Sequence, residues 1–510
     1  PGPKGAPAAG PGALRRRRAC PMTRAKAATG EGGDGMYIDG EWIEAEGGAR
    51  FEVTNPADGA VIAEVPDGGA AEAARAVEAA ARAFPAWSAA TAYRRAEILL
   101  KAHALMLERR EELARTMTEE QGKPLRAARN EVGYGADFLI WFAEEAKRVK
   151  GEMPPSARPD QRFLVRREAV GVVAAITPWN YPVSMITRKL GPALAAGCTA
   201  VLKPAEATPM CALAMVRILE EAGVPPGVVN LVTARDPRPV GEVFTTHPAV
   251  AKLTFTGSTA VGKALAGEAA SRMKRVSMEL GGHAPFIVCA DADPVHAAKG
   301  AALVKFLNTG QACISPNRIF VHEAVHDAFV ATLTERVAKL RAGPGVEEGV
   351  GVGPLVGPGA VEKVERQVAD ALDKGAELRT GGARLTDHGL DRGWFYAPTV
   401  LSGVGPEMRI YREETFGPVA PVIRYTDADD VLAMANDTDY GLAAYVYTRD
   451  LSRAMHLFEG LRFGIVGVND INPTSAAAPF GGMKESGLGR EGASEGIEEY
   501  LETKLGGFAI

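Results

Sequence analysis

Three short stretches carry residues that can do chemistry together. Cys313 lies in Gly310-Gln311-Ala312-Cys313-Ile314-Ser315, among small and polar neighbours that leave a substrate room to reach its sulfur. A cysteine thiolate is a strong nucleophile and forms covalent intermediates. Glu279 opens Glu279-Leu280-Gly281-Gly282, 34 positions upstream of Cys313. A carboxylate beside two glycines can sit in a cavity and activate a water. Asn180 stands in Thr177-Pro178-Trp179-Asn180-Tyr181-Pro182, and its amide can donate to an oxyanion as charge develops. Nucleophile, base and oxyanion donor are the parts of an acyl-transfer site. Taken singly, a free cysteine is more often a small buried hydrophobe. A lone glutamate is more often a solvated surface group, and an asparagine between prolines a turn residue. The functional reading rests on their co-occurrence with the segments below.

The elements that must position these residues follow from the hydrophobic pattern. Short apolar runs over 172–176, 199–202, 228–232, 252–255, 276–280 and 285–288 read as buried strands, with helices over 183–196 and 208–222 between them. This alternation predicts an α/β fold with parallel strands and crossover helices. Ligands bind such sheets at the carboxyl ends of the strands. The stretches 177–182, 203–206, 257–258 and 279–282 all fall there. Upstream, a hairpin is expected around Asp39-Gly40, then helices over 70–83, 91–120 (capped by Thr91) and 126–149. Residues 151–167 are rich in proline and charge and then alternate, as a β arm would, and a closing strand over 501–508 suits it as a partner. Downstream, helices are expected over 294–306, 323–341, 358–374, 427–435 and 450–459, and strands over 318–321, 396–401, 419–425, 443–447 and 463–468. No fixed-period repeat points to a solenoid.

Composition bounds the function. A chain of 510 residues, 46% of them hydrophobic, is too long for one core, so two or three domains are expected. A net charge of −5 gives no reason to expect nucleic acid or an anionic membrane as partner. No apolar run reaches the ~18 residues of a membrane span. Five cysteines without framework spacing fit a reduced, cytoplasmic compartment. There is no CxxC pair, and His322 and His326 have no third ligand near in sequence, so no metal site is expected. Residues 1–35, rich in Pro, Gly, Ala and Arg, are expected to be disordered, and Met22 is a candidate natural start.

Three further segments suit a dinucleotide, although GxGxxG is missing. A strand ends at Gly257 and a helix begins at Ser258 in Phe255-Thr256-Gly257-Ser258-Thr259-Ala260-Val261-Gly262. Free N–H groups and the helix dipole there favour a phosphate. In Leu202-Lys203-Pro204-Ala205-Glu206, Lys203 can donate to ribose hydroxyls and Glu206 can accept from them. A carboxylate at this place suits a free 2′-hydroxyl and repels a 2′-phosphate, favouring NAD over NADP. Glu413-Glu414-Thr415-Phe416-Gly417-Pro418 offers an acceptor and an aromatic wall for a second ribose.

Together these segments resemble the aldehyde dehydrogenase superfamily over residues 36–507. The resemblance is carried by TPWNYP (177–182), LKPAEATP (202–209), FTGSTAVG (255–262), ELGG (279–282), GQAC (310–313), EETFGPV (413–419) and PFGGMKESGLGR (479–490). It implies a Rossmann-like NAD domain over 36–150 and 170–281, an α/β catalytic domain over 282–483, and a β oligomerisation arm from 151–169 and 484–510. It further implies a homodimer or homotetramer acting on a small aldehyde. By position Cys313 matches the nucleophile, Glu279 the base, and Asn180 with the Cys313 N–H the oxyanion hole. Lys189 and Glu491 match a proton-relay pair. Lys203, Glu206 and Ser258, with Ile176, Thr177, Pro178, Trp179, Gly257 and Gly281, match cofactor-binding positions, and Glu414 and Phe416 match groups around the nicotinamide ribose. The implied chemistry is attack by Cys313, a thiohemiacetal, hydride transfer to NAD, a thioester, and its hydrolysis by water activated at Glu279.

Within the superfamily, residues 176–206 and 478–492 are similar to the succinate-semialdehyde dehydrogenase group. Two positions depart from that group. It reads Cys-x-Cys where this chain has Ser315, and it carries an arginine where this chain has Leu307. Arg188 and Ser475 match positions that hold the distal carboxylate there, so half of that clamp is kept. The expected substrate is a semialdehyde, with apolar or aromatic aldehydes packing on Leu307, Trp179 and Phe480 as the alternative. Other classes stand further off. A CoA-acylating enzyme has no use for Glu279 as a water-activating base. A cysteine hydrolase needs a histidine that the sequence does not place. A binding protein would have no need to keep all three reacting groups.

Overall fold

The computed structural model describes residue 2 and residues 35–510. The stretch expected to be disordered, with Cys20 and Met22, therefore lies outside the described residues apart from those two edges. Two sheets organise the rest. The first has the strand order Gly487–Leu488, Arg275–Glu279, Val250–Thr256, Val172–Ile176, Thr199–Lys203, Val229–Leu231, Met36–Ile38 and Glu41–Ile43. Its central strands run parallel from Arg275–Glu279 across to Val229–Leu231. The hairpin around Asp39-Gly40 adds antiparallel strands at one edge, and Gly487–Leu488 adds one at the other. The second sheet runs Glu377–Thr380, Thr399–Ser402, Val419–Tyr425, Pro316–His322, Ala284–Val288, Ala443–Tyr447 and Ile465–Val468, parallel except at its Glu377–Thr380 edge.

The helix Ser184–Ala196 is the structural pin of the first sheet. All of its 13 residues are buried. None of its own side chains caps its N-terminus. Instead Glu131, from the helix Leu125–Ala146, accepts from the Val183 and Ser184 N–H groups at 3.0 and 3.1 Å. A carboxylate there satisfies orphan donors and complements the helix dipole. Gly197, at φ 98°, closes the other end in the left-handed conformation.

Several elements differ from the sequence expectation. The helix expected over 91–120 is two helices, Ala92–Glu108 and Arg110–Gln121. The break at Arg109 falls in Glu108-Arg109-Arg110-Glu111-Glu112, where no apolar side chain anchors a turn to the core. The helix expected to end at 83 continues to Ala89 through Pro85, anchored beyond it by buried Trp87. The arm forms its strand only over Gln161–Ala169. Pro154, Pro155 and Pro159 cannot donate to a ladder, and the preceding stretch makes only the isolated bridge Glu152 to Val165. The helix Arg238–Thr246 and the hairpin of Arg50–Thr54 with Val61–Pro66 are additions to the expected elements.

The closing strand Leu501–Ala509 pairs antiparallel with Gln161–Ala169 along its whole length, from Leu501 opposite Ala169 to Ala509 opposite Gln161. In hydrogen exchange, deleting residues 501–510 is expected to bring the protected amides of 161–169 to near solvent rates and leave the core of the first sheet protected. Unchanged protection of 161–169 in the truncated chain would show that another element holds that strand.

Candidate active site

The site lies where the carboxyl ends of the first sheet's strands meet the turns that enter the second sheet. The chain crosses between the sheets from Glu279, the last residue of one strand, to Ala284, the first of the next. At Gly282 a Cβ would fall 2.2 Å from the Cys313 carbonyl oxygen, so only glycine lets the crossing pass this near the nucleophile's loop.

That loop is tightly constrained. Asn308, Thr309 and Gly310 have φ of 49°, 60° and 75°. Two consecutive non-glycine residues in this region cost conformational energy, and they persist only where the surroundings over-determine them. Thr309 Oγ1 donates to the Gly353 carbonyl at 3.1 Å, and Gln311 Oε1 accepts from the Val356 N–H at 2.9 Å. Asn308 Nδ2 donates to the Asn180 carbonyl at 2.9 Å. Asn180 Nδ2 in turn donates to the Gln311 carbonyl at 3.0 Å. The amide's second hydrogen remains for another acceptor.

Lys123 completes this arrangement. It is buried, ion-paired to Glu131, and its Nζ donates to the Asn180 carbonyl at 2.7 Å. Lys123, Glu131 and Asn308 are residues that sequence reasoning missed. The sequence shows Lys123 only as part of a Gly-Lys-Pro helix stop. The one available signal was an acid eight residues after a lysine, and the charged and polar Arg126, Arg129 and Asn130 between them mask it.

Glu279 is buried beside a second set of charges. Glu491 sits between Lys189 Nζ and Arg188 Nε, at 2.7 Å from each. The contact with Arg188 Nε is an ion pair rather than an aligned hydrogen bond, and Arg188 Nη2 has no hydrogen-bond partner. Burial alone would raise the Glu491 carboxyl, but the charges of Lys189 and Arg188 bring it below its ordinary value. Glu279 moves the other way. Burial, then repulsion from Glu491, holds it well above the usual carboxylate range, while Arg188, Lys189 and Arg490 pull against that. Its Oε2 has no partner. The Cys313 thiol is pushed up to about 12, chiefly by burial, with Arg188 opposing and Glu279 adding to the rise. A thiol and a carboxylate of raised basicity that feel each other's charge can serve as nucleophile and base.

A cavity of about 620 Å³ reaches Cys313, with Arg188, Leu307 and Phe480 in its wall. Arg188 is 2% exposed and its guanidinium stacks on Phe480 at 3.9 Å. Two expected substrate contacts are absent from the lining of this cavity. Ser475 is exposed and Thr474 lines the cavity instead, because the loop is irregular and presents the neighbouring side chain. Trp179 is not in this wall and makes an edge-to-face contact with Phe416 at 5.6 Å.

Most residues expected to hold a cofactor lie at or just after the carboxyl ends of the neighbouring strands Thr199–Lys203, Val172–Ile176, Val250–Thr256 and Arg275–Glu279. Ile176 ends its strand half-buried, and the Thr177 N–H donates to the Lys203 carbonyl at 3.1 Å, with Pro178 and Trp179 next along the turn. Lys203 is buried with its Nζ 3.6 Å from half-exposed Glu206. Ser258 caps the helix Thr259–Ala270, and Gly257 packs on the Phe255 ring, where a Cβ would not fit. Thr256 Oγ1 is buried without a partner. Glu414 accepts from the Gly282 N–H at 2.9 Å, and a Cβ on Gly281 would press on that carboxylate. The orphaned hydroxyl, the capped helix N-terminus and the Trp179–Phe416 wall fit a dinucleotide. Among the described residues no three His, Cys, Asp or Glu side chains group as a metal-ligand set. His322 and His326 face Asp427 and Asp327, at 3.1 and 2.9 Å.

Comparison with known proteins agrees with this geometry. Residues 42–505 match the model of the aldehyde dehydrogenase family. The chain is 52% identical over 474 residues to a 3-sulfolactaldehyde dehydrogenase of Pseudomonas putida, covering 92% of this chain and 96% of that one. It is 51% identical over 467 residues to an NADP(+) succinate-semialdehyde dehydrogenase of Escherichia coli, covering 92% and 96%. The crystal structure of a succinate-semialdehyde dehydrogenase from Burkholderia pseudomallei superimposes with a TM-score of 0.91 at 50% identity, over 93% of this chain and 98% of that one.

The charge cluster yields a pH test. With ionised Glu279 expected as the base, turnover should fall as pH drops through its raised pKa. Glu491→Gln removes the repelling charge and leaves Arg188 and Lys189 to favour ionised Glu279. The acid limb of the kcat–pH profile is therefore expected to move to lower pH in that variant. A limb that stays in place or moves up would show that Glu491 does not set the basicity of Glu279.

Proposed function

Because the chain belongs to the aldehyde dehydrogenase family, it is an oxidoreductase of aldehydes; within that activity, we propose that its substrate is a small aldehyde with a distal anion, such as an ω-carboxy semialdehyde, and that its preferred cofactor is NAD. The observation that carries this reading is the cavity at Cys313, whose wall holds a buried arginine with an unpartnered nitrogen, Arg188 Nη2. Buried polar groups are nearly always hydrogen-bonded, and a guanidinium with an unpartnered nitrogen in the wall of a ligand cavity suits a carboxylate or sulfonate. The names of two relatives, a 3-sulfolactaldehyde and a succinate-semialdehyde dehydrogenase, point to substrates of that kind.

The residues divide the work as follows. Cys313 gives its proton to cavity water and its sulfur adds to the aldehyde carbon, giving a thiohemiacetal. The free hydrogen on Asn180 Nδ2 and the Cys313 N–H hold the oxygen where negative charge develops. Lys123 and Asn308, both bonded to the Asn180 carbonyl, keep the donor in place. When bound, the nicotinamide supplies the acceptor for the hydride that turns the thiohemiacetal into a thioester. Glu279 then takes a proton from water, which attacks the thioester and releases the acid. Lys189 and Glu491 lead protons away from it.

Glu206 supports NAD over NADP, since a 2′-phosphate at Lys203 would face its carboxylate. The named NADP(+) preference of the E. coli relative makes this the finer point to measure. Free Cys198, Cys211, Cys289 and Cys313 support work in a reducing compartment such as the cytoplasm. The exposed edge of the Gln161–Ala169 and Leu501–Ala509 ribbon supports a homo-oligomer.

Rapid mixing of the Glu279→Gln variant with succinate semialdehyde is expected to give a burst of NADH close to one per site, then turnover at least ~100-fold slower than the native enzyme. The burst should saturate at lower NAD than NADP. Absence of the burst would remove Glu279 from the hydrolytic step and place it in thiol activation. Equal or better saturation by NADP would overturn the ribose assignment.

A further inference from the structure

Among the described residues, three basic side chains line the cavity at Cys313: Lys123, Arg188 and Arg110. The charges of the first two are already compensated. Lys123 is ion-paired with Glu131 and bonded to the Asn180 carbonyl. Arg188 has Glu491 at 2.7 Å and Phe480 against its face. It offers an anion one donor but little uncompensated charge.

Arg110 is different. It is the first residue of the helix Arg110–Gln121, and its Nε donates to the Arg129 carbonyl at 2.9 Å. That bond ties Nε of this exposed side chain to the neighbouring helix, and among the described residues no hydrogen bond holds its terminal nitrogens. No carboxylate among the described residues lies within ion-pair distance of it. The adjacent Glu111 is occupied by both Nε and Nη2 of Arg129, each at 2.7 Å. Asp137 also lines the cavity but makes no ion pair with Arg110. Leu307, where the resemblance led one to expect an arginine, and Leu303 make another part of the lining apolar, at 43% and 53% exposure. A substrate's distal anion therefore meets at Arg110 a cation that no carboxylate pairs directly, although its charge is felt by Glu111.

We infer that Arg110 recognises the distal carboxylate or sulfonate of the substrate, supplying from the helix Arg110–Gln121 the cation that is lost at Leu307. The inference rests on the proposal that the substrate carries such an anion. Arg110 is the exposed contact, and Arg188 is the buried arginine of the same lining. Asp137, in the same lining, disfavours a second negative charge, so the subsite selects monoanionic side chains.

The test compares succinate semialdehyde with butanal, which has the same chain length and no charge. The native enzyme is expected to favour the semialdehyde in kcat/KM. Arg110→Gln should reduce that preference about tenfold, the loss appearing in KM rather than kcat, as for one partly exposed charged hydrogen bond. Arg110→Lys should restore part of it, and Asp137→Asn should lower the KM for the semialdehyde. Rising ionic strength should raise that KM in the native enzyme and much less in Arg110→Gln. If the native enzyme prefers the semialdehyde and Arg110→Gln keeps both the preference and the salt dependence, the role of Arg110 is refuted while the proposed substrate class stands. If the native enzyme shows no preference, the substrate class itself fails, and with it this inference.

Discussion

The buried charges around Glu491 are the constraint on which the site depends. Glu491, Arg188, Lys189 and Glu279 are all at most 4% exposed. Taking such charges out of water costs several kcal/mol per ion, and removing one partner of a buried pair costs about 3–5 kcal/mol because it strands the other. The cluster therefore holds only if the helix Ser184–Ala196, the end of the strand Arg275–Glu279 and the C-terminal tail are all in register. Its asymmetry has a chemical result. Two cations neutralise Glu491 and leave Glu279 as the carboxyl of raised basicity. The same contacts that join tail to sheet thus set the base.

A second knot holds the oxyanion donor. The Asn180 carbonyl accepts from Lys123 and from Asn308, so the turn after the strand Val172–Ile176 is fixed to both the helical layer and the nucleophile's loop. Glu131 links this knot to the first, because it pairs Lys123 while capping the very helix that carries Arg188 and Lys189. Nucleophile, base and donor come from separate strands and loops, yet each is tied to the others through one buried helix.

The reacting groups were legible in the sequence because each lies in a short linear stretch whose glycines or prolines serve a local need. Gly282 must clear the Cys313 carbonyl, and the motif that contains it marks the base. The parallel strands were legible from apolar runs, with ends correct to a few residues. What stayed hidden is long-range pairing. Nothing near Lys123 in the chain says that its Nζ meets a carbonyl 57 positions away. Arg110 sits in a run of charges that reads as a solvated face, and only the fold brings it to the rim of the cavity. The break at Arg109 and the exchange of Ser475 for Thr474 have a related origin, since a single residue's turn in an irregular or highly charged segment leaves no periodic trace.

The central claim is that Cys313 carries the substrate as a thioester that Glu279 clears. The most direct measurement is peptide mass mapping of the Glu279→Gln variant quenched in acid after mixing with succinate semialdehyde and NAD. The peptide containing Cys313 is expected to gain the mass of a succinyl group, with Cys198, Cys211 and Cys289 unmodified and no adduct when NAD is omitted. An acyl group on another residue, or NADH formation with no acylated cysteine at all, would contradict it.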